Sequence, residues 1–366
     1  MHARLLLPGL FLGAAFLQTG CDPFAGIVAS KIFRAPNQAP MNGIEFQPAV
    51  QRIAQEAYAA RFEVPVRGAV LQVGIIEPGD YALDWNPRTD GNSVWIDGPM
   101  HLDFERGNEA PDGLIVILHG FGCGKEQMLP WAFELASAGY RVAMVDLRGH
   151  GRSTGNWVGF GALEKEDLKQ VLDTIESRSE RSLPVGVLGV SYGGAVALHF
   201  AAEDPRVRTV VALAPFASAA GAIKELARAL FPDYAAKISE RTFRNAFSIG
   251  AAKGSFVWKE TNTTRSVAAL HRPVFLIHGS KDTWISPENS RRLYREAETG
   301  SRLLMVPGET HVSLPLCMDE ISGEVRSWFD AKLAAPSLFL AGGKEESRDQ
   351  ESEDRRQESE ALISDA

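Results

Sequence analysis

Val185-Gly186-Val187-Leu188-Gly189-Val190 runs directly into Ser191-Tyr192-Gly193-Gly194, and the reading of this stretch decides the fold. Residues 185–190 are uniformly small or apolar with valine at three positions, the pattern of a short strand covered on both faces. From Gly194 to Glu203 the spacing turns helical. A serine at the turn between them needs small neighbours two residues to either side. The tight strand-to-helix turn brings backbone against backbone, and a side chain there would clash. Gly189 and Gly193 meet that demand. Glycine and serine are common residues, so the specific signal is their placement between a buried strand and a helix.

Outward from this turn the same alternation repeats. Leu114–Leu118, Arg141–Asp146, Val210–Ala214, Val274–His278 and Arg302–Val306 read as further short apolar strands. Helical patterns separate most of them. In 163–178, Leu163, Leu168, Val171, Leu172 and Ile175 keep one face, and near the end Ile321, Val325, Trp328, Phe329 and Leu333 do the same. Alternating units of this kind predict an α/β fold with a mostly parallel central sheet and helices on both faces. Strands within Ala69–Ile76 and Ser93–Phe104 are expected to form its antiparallel start. Between about Ala217 and Leu270 the alternation breaks for an aromatic-rich helical stretch, expected as a lid over the end of the sheet where such folds bind ligands.

On the elbow at Ser191 and its setting, the chain resembles the α/β-hydrolase superfamily, and in its lidded layout the serine aminopeptidase-like and lysophospholipase-like serine hydrolases. A serine hydroxyl is a poor nucleophile at neutral pH and needs a base held by a carboxylate. The resemblance implies the chain order nucleophile, acid, histidine. Asp282, in His278-Gly279-Ser280-Lys281-Asp282, follows a predicted strand, and His311, in Pro307-Gly308-Glu309-Thr310-His311, follows the last one. Both stand in the implied order. Glu309, two residues from His311 on one loop, is poorly placed to hold that ring from behind, and Asp146 precedes the nucleophile. His119-Gly120-Phe121-Gly122 resembles the family's oxyanion loop, which makes the amides of Phe121 and Tyr192 the expected donors and His119 a structural residue. The implied chemistry is acyl transfer through an acyl-enzyme, with activity failing below about pH 6.5 as an imidazole base protonates.

Other chemistries find less support. The run from His119 to Lys125 fails the phosphate-loop spacing, since a glycine is needed at His119 and a serine or threonine at Glu126. No dinucleotide fingerprint follows a strand and no histidine pair has metal-ligand spacing, so neither cofactor nor metal is expected. A net charge of −8 over 366 residues argues against nucleic-acid partners. Three cysteines cannot make a disulfide scaffold; Cys123 and Cys317 are expected beside one cleft, bridged or as two buried thiols.

The ends read differently from the middle. Arg4, the apolar run Leu5–Leu17 and the stretch to Gly20 have the layout of a signal peptide over 1–20, too short and too interrupted for a permanent span. Leu17-Gln18-Thr19-Gly20-Cys21 resembles a bacterial lipobox, which implies lipidation at Cys21 and a lipoprotein on an envelope membrane; a secreted or periplasmic protein is the alternative. Residues 21–63, with Pro36, Pro40, Gly43 and Pro48, read as a tether with one short helix near Val50–Ala60, ahead of a hydrolase domain over 64–335. Residues 342–366 read as a disordered acidic tail. The expected lid carries eight Lys or Arg against four Asp or Glu, which suits a lipid surface or an anionic substrate. The reading is a carboxylic-ester hydrolase on lipid or small acyl esters. A serine aminopeptidase or thioesterase on the same residues, or a non-catalytic envelope lipoprotein, are the alternatives, and the oligomeric state is not legible.

Overall fold

Every residue of Leu114–Leu118 is buried, and alternate side chains explain why. Ile115 and Ile117 enter one hydrophobic cluster while Val116 and Leu118 enter another, so the strand has no polar face to offer water. A computed structural model describes residues 23–38, 43–90 and 93–334. The strands are β1 (Ala60–Val66), β2 (Ala69–Ile76), β3 (Gly79–Asp84), β4 (Pro87–Asp90), β5 (Ser93–Ile96), β6 (His101–Arg106), β7 (Leu114–Leu118), β8 (Arg141–Asp146), β9 (Val185–Val190), β10 (Val207–Leu213), β11 (Val274–Gly279) and β12 (Arg302–Val306). The helices are α1 (Pro23–Phe33), α2 (Pro48–Ala57), α3 (Leu129–Ser137), α4 (Glu164–Ser177), α5 (Tyr192–Glu203), α6 (Ala219–Leu230), α7 (Pro232–Ala235), α8 (Glu240–Gly254), α9 (Thr263–Ala269), α10 (Glu288–Glu296) and α11 (Met318–Leu333).

Eight strands form the central sheet in the order β1-β2-β8-β7-β9-β10-β11-β12. From β8 to β12 all pairings are parallel, and only β2 runs against the other strands, pairing antiparallel with both β1 and β8. Apolar residues of α4 and α5 join the cluster on one face, and those of α3 and α11 join the cluster on the other. The ends of β9, β11 and β12 thereby carry their loops to the same edge of the sheet. The stretch between β10 and β11 is an insertion of the four helices α6 to α9.

Two expectations fail. The strands in Ser93–Phe104 do not start the central sheet: β5 pairs only with β4, and β6 only with β3, as two separate ribbons. Alternation along these segments marks a half-exposed strand but cannot say which partner its edge finds. The segment 21–63 is also no mere tether, since it holds α1, α2 and the start of β1. Ala25, Val28 and Ala29 of α1 close over Ala246 of α8, and the buried Phe33 ring meets Phe247 edge-on at 5.1 Å. A Cβ added at Gly250 would stand 2.1 Å from the Phe33 ring, so the helix backbone there abuts the aromatic face. Proline and glycine around the helices conceal an apolar stripe whose partner lies more than 200 residues away in the sequence. The expected signal peptide, Cys21 and the acidic tail lie outside the described residues.

The folded N-terminal segment also plugs a buried polar cluster behind the loop 119–122. Glu45 Oε1 accepts the Gly124 amide at 3.1 Å, and Lys125 Nζ bridges Asp146 Oδ2 at 2.9 Å and Glu126 Oε1 at 3.0 Å. Two carboxylates therefore share one ammonium, and Glu45 stands beside them without a cation of its own among the described residues. Burial, reinforced by the charges of Glu126 and Asp146, pushes the Glu45 carboxyl up to about 7 despite its backbone hydrogen bonds. An unfolded glutamate titrates near 4.3. Between these values the folded chain binds the proton more tightly, so this group's contribution to stability falls as pH rises through that window, by about 4 kcal/mol in all. Glu45→Gln keeps an acceptor for Gly124 and removes the charge. Its Tm relative to wild type is expected to improve steadily between pH 5 and pH 8; a difference independent of pH would show that Glu45 is not a buried acid.

Candidate active site

Ser191 sits at the turn between β9 and α5 with φ 54° and ψ −110°, a conformation that costs a non-glycine residue of order 1–3 kcal/mol. The surroundings enforce it. A Cβ at Gly189 would stand 2.3 Å from the Gly193 carbonyl oxygen, and one at Gly193 would stand 2.4 Å from that of Leu118. Neither position tolerates a side chain, and the second contact presses the turn against the end of β7, where the loop 119–122 begins. The Ser191 amide donates to the Leu213 carbonyl at 2.7 Å, which ties the turn to β10 as well.

The loops after β11 and β12 deliver the other two side chains. His311 Nε2 lies 2.8 Å from Ser191 Oγ, and His311 Nδ1 lies 2.7 Å from Asp282 Oδ2. Asp282 Oδ1 accepts the amides of Trp284 and Ile285, each at 2.9 Å. Burial by itself would raise the Asp282 carboxyl. Hydrogen bonds from His278 and His311, the charge of His311 and the Ile285 amide outweigh it and hold the carboxyl well below the usual carboxylate range. An ionised Oδ2 only accepts, so the proton of the His311 ring stands on Nδ1 and the bare Nε2 accepts from Ser191. Such an arrangement can take up the serine proton as the oxygen attacks.

His278 is a participant that sequence reading passed over. Fully buried on β11, its Nε2 faces Ile285 O at 2.9 Å and Asp282 Oδ2 at 3.2 Å, while Nδ1 meets Ser290 Oγ at 2.7 Å. A carbonyl cannot donate, so Nε2 carries the hydrogen and Ser290 donates to Nδ1. Two imidazoles thus share one carboxylate oxygen. The His-Gly dipeptide before Asp282 was the available signal, but nothing in it distinguishes a ring aimed at the acid from one packed elsewhere.

Phe121 and Tyr192, the expected oxyanion donors, lie together, with ring centroids 5.6 Å apart. Among the described residues neither backbone amide has a backbone acceptor. Tyr192 is anchored through its phenol, which donates to Glu164 Oε1 at 2.8 Å. The Glu164 oxygens also accept the amides of Gly159 and Gly161 at 2.7 Å each. This buried glutamate opens α4, and its helix position gave no hint of that task. Leu147 N donates to His119 Nε2 at 3.0 Å and His119 Nδ1 donates to Gly120 O at 2.8 Å, so His119 is a structural brace, as expected. Burial lowers its pKa and keeps it neutral. Asp146 accepts from the Lys125 amide at 2.7 Å and so braces the same loop without reaching Ser191.

Cys123 and Cys317 are both free thiols. Burial pushes both up, Cys317 to about 12, which leaves them protonated at neutral pH. Glu309 makes no hydrogen bond to His311 among the described residues; its carbonyl accepts the Lys281 amide at 2.8 Å and so joins the two loops. Among the described residues no cluster of three His, Cys, Asp or Glu side chains could hold a metal ion, and no helix is long and apolar enough to cross a membrane. A cavity of about 460 Å³ borders Asp282, lined by Thr283 and Ser286 on one side and by Glu225, Arg228 and Ala229 of α6 on the other. A larger cavity, about 540 Å³, lies between α2, β1 and Lys125. It is lined mainly by polar side chains and touches none of Ser191, Asp282 and His311.

Comparison with known proteins agrees with this architecture. The family model described as Serine aminopeptidase, S33 (Hydrolase_4) matches residues 109–246. An uncharacterized 31.7 kDa protein of Escherichia coli is 32% identical over 52% of this chain and 80% of its own length. A monoacylglycerol lipase of Mycolicibacterium smegmatis is 26% identical over 55% of this chain and 81% of its own. The chain spans only 62% and 65% of the first curated relatives it matches. Among solved structures, the esterase Pf2001 of Pyrococcus furiosus aligns with a TM-score of 0.53 at 21% identity, covering 76% of this chain and 93% of that one. With a serine elbow after β9, an acid loop after β11, a histidine loop after β12 and these relatives, the chain belongs to the α/β-hydrolase superfamily.

Proposed function

We propose that this protein is a serine hydrolase that cleaves carboxylic esters of lipid or small acyl substrates. Ser191 Oγ attacks the acyl carbon while His311 Nε2 takes its proton, and the amides of Phe121 and Tyr192 hold the oxyanion. His311 then passes the proton to the leaving alcohol oxygen, which releases the alcohol and leaves an ester on Ser191. Water, deprotonated by the same nitrogen, hydrolyses that acyl-enzyme. The observation that carries the reading is the hydrogen-bonded line Ser191, His311, Asp282, drawn from three separate loops. The lipase and esterase among the similar proteins favour ester substrates. We also place the protein on a bacterial envelope membrane through a lipid on Cys21, which metabolic palmitate labelling lost in Cys21→Ser would support.

An aminopeptidase would need a carboxylate of the insertion aimed at the substrate amine. Glu225 is the insertion carboxylate beside Asp282, but its Oε2 already accepts the Ser286 amide at 2.8 Å and the Asn289 side-chain amide at 2.9 Å. That commits it to holding α6 against the acid loop. The test is a panel of p-nitrophenyl esters of increasing acyl length set against aminoacyl anilides, with a fluorophosphonate probe. Ester turnover and labelling at Ser191 are expected. Preference for the anilides would favour the peptidase, and absence of both turnover and labelling would favour a binding protein.

A further inference from the structure

Among the described residues five large hydrophobic side chains are exposed, and four of them lie on α1 or the insertion: Ile27 at 43%, Tyr234 at 42%, Val257 at 55% and Trp258 at 41%. Isolated exposed apolar residues need no explanation, but their concentration on one part of a molecule does. The same elements carry positive charge in an acidic chain. Of the insertion's four carboxylates, Glu225 is held by the acid loop, Glu240 pairs with Lys224 and Glu260 approaches Lys165. Among the described residues Asp233 makes no ion pair.

These features are joined through α1. Its buried residues Ala25, Val28 and Ala29 pack with Ala246 of α8, which turns Ile27, Lys31 and Arg34, at helical spacing, outward. Arg34 forms a backbone bridge with Trp157, and Lys253 Nζ at the end of α8 stands 5.5 Å over the Trp157 ring. Val257 and Trp258 follow within five residues. Exposed tryptophan and aliphatic side chains interleaved with lysine and arginine match the interfacial zone of a bilayer, where rings lie at headgroup depth and cations reach anionic phosphates. An acidic protein partner would explain the cations but not the exposed Val257 and Trp258. The chain also enters this body at Pro23, two residues after Cys21.

We propose that α1 and the insertion together form a docking surface for an anionic lipid bilayer, which sets the substrate entrance against the membrane. The proposal deepens the lipid-ester reading and rests on it for its purpose, while its test reads vesicle binding and uses turnover only to check folding. Each cation near an anionic surface contributes about fivefold to partitioning. The full chain carrying Cys21→Ser, which removes any acyl anchor, is to be sedimented with phosphatidylcholine vesicles with and without phosphatidylglycerol. Binding is expected only with phosphatidylglycerol, weakening as salt rises. The triple variant Lys31→Glu, Lys253→Glu, Lys259→Glu is expected to bind at least about 100-fold more weakly, and Val257→Ser with Trp258→Ser to bind less at all salt concentrations. Both variants should hydrolyse a soluble short-chain ester as the parent does, which verifies their folding. Equal binding to neutral vesicles, no binding at all, or undiminished binding by the triple variant would overturn the proposal. Vesicle binding that behaves as expected in a protein that cleaves no ester would support the surface and count against the hydrolase reading alone.

Discussion

Ser191→Ala is expected to lower kcat on any ester the wild type cleaves by about 10⁴- to 10⁶-fold, with KM nearly unchanged. The lost oxygen is the atom that becomes covalently bound, so no neighbour can substitute for it. Cys123 is buried and protonated, and the hydroxyl of Ser290 is committed to His278. The backbone around residue 191 should survive, because φ 54° is imposed by the contacts at Gly189 and Gly193 and not by the hydroxyl. Thermal unfolding of the variant should therefore match the wild type within about 0.5 kcal/mol. A small residual rate above water is expected from the amides of Phe121 and Tyr192. Turnover within tenfold of wild type, measured on protein free of wild-type contamination, would remove Ser191 from the mechanism.

Asp282→Asn is expected to cost about 10⁴-fold in kcat at neutral pH through the tautomer of His311. A carboxylate oxygen can accept from His311 and His278 together; an amide must turn its NH₂ toward one of the two rings or toward the Trp284 and Ile285 amides. If the NH₂ meets His311 Nδ1, the imidazole proton moves to Nε2, which can then no longer accept from Ser191. The stability sign follows from the depressed carboxyl. Asp282 contributes stability that is fully present above the unfolded value near 3.9 and is lost as pH falls through its lower folded value. The variant should accordingly be less stable than wild type at pH 7, with the gap closing toward strongly acid pH. Steady-state kinetics and melting curves across that range check both parts. A variant that keeps its kcat while losing stability would make Asp282 a structural residue only.

What could be read in the sequence is the part governed by local periodicity. Leu114–Leu118, Arg141–Asp146, Val185–Val190 and Arg302–Val306 are strands with the boundaries their apolar runs predict, because a strand buried on both faces leaves a continuous hydrophobic signature. α1 escaped notice because the partner of its stripe, α8, stands far along the chain, and Pro36, Gly43 and Pro48 frame it as a linker. The ribbon strands β4, β5 and β6 escaped placement because half-exposed alternation specifies a face but not a neighbour.

By itself, then, the sequence determined the alternation of strands and helices from Leu114 onward, the glycines without which the turn at Ser191 cannot form, and the chain order serine, aspartate, histidine. Only the tertiary structure decided that His278 and His311 converge on one carboxylate oxygen, that Glu164 holds Tyr192, and that α1 closes onto the insertion. The physical reason is range. Backbone sterics and burial periodicity act within a few residues and are written locally, whereas hydrogen bonds of 2.7 and 2.8 Å between loops 29 and 120 residues apart exist only after the sheet has set the register of the strands that carry them.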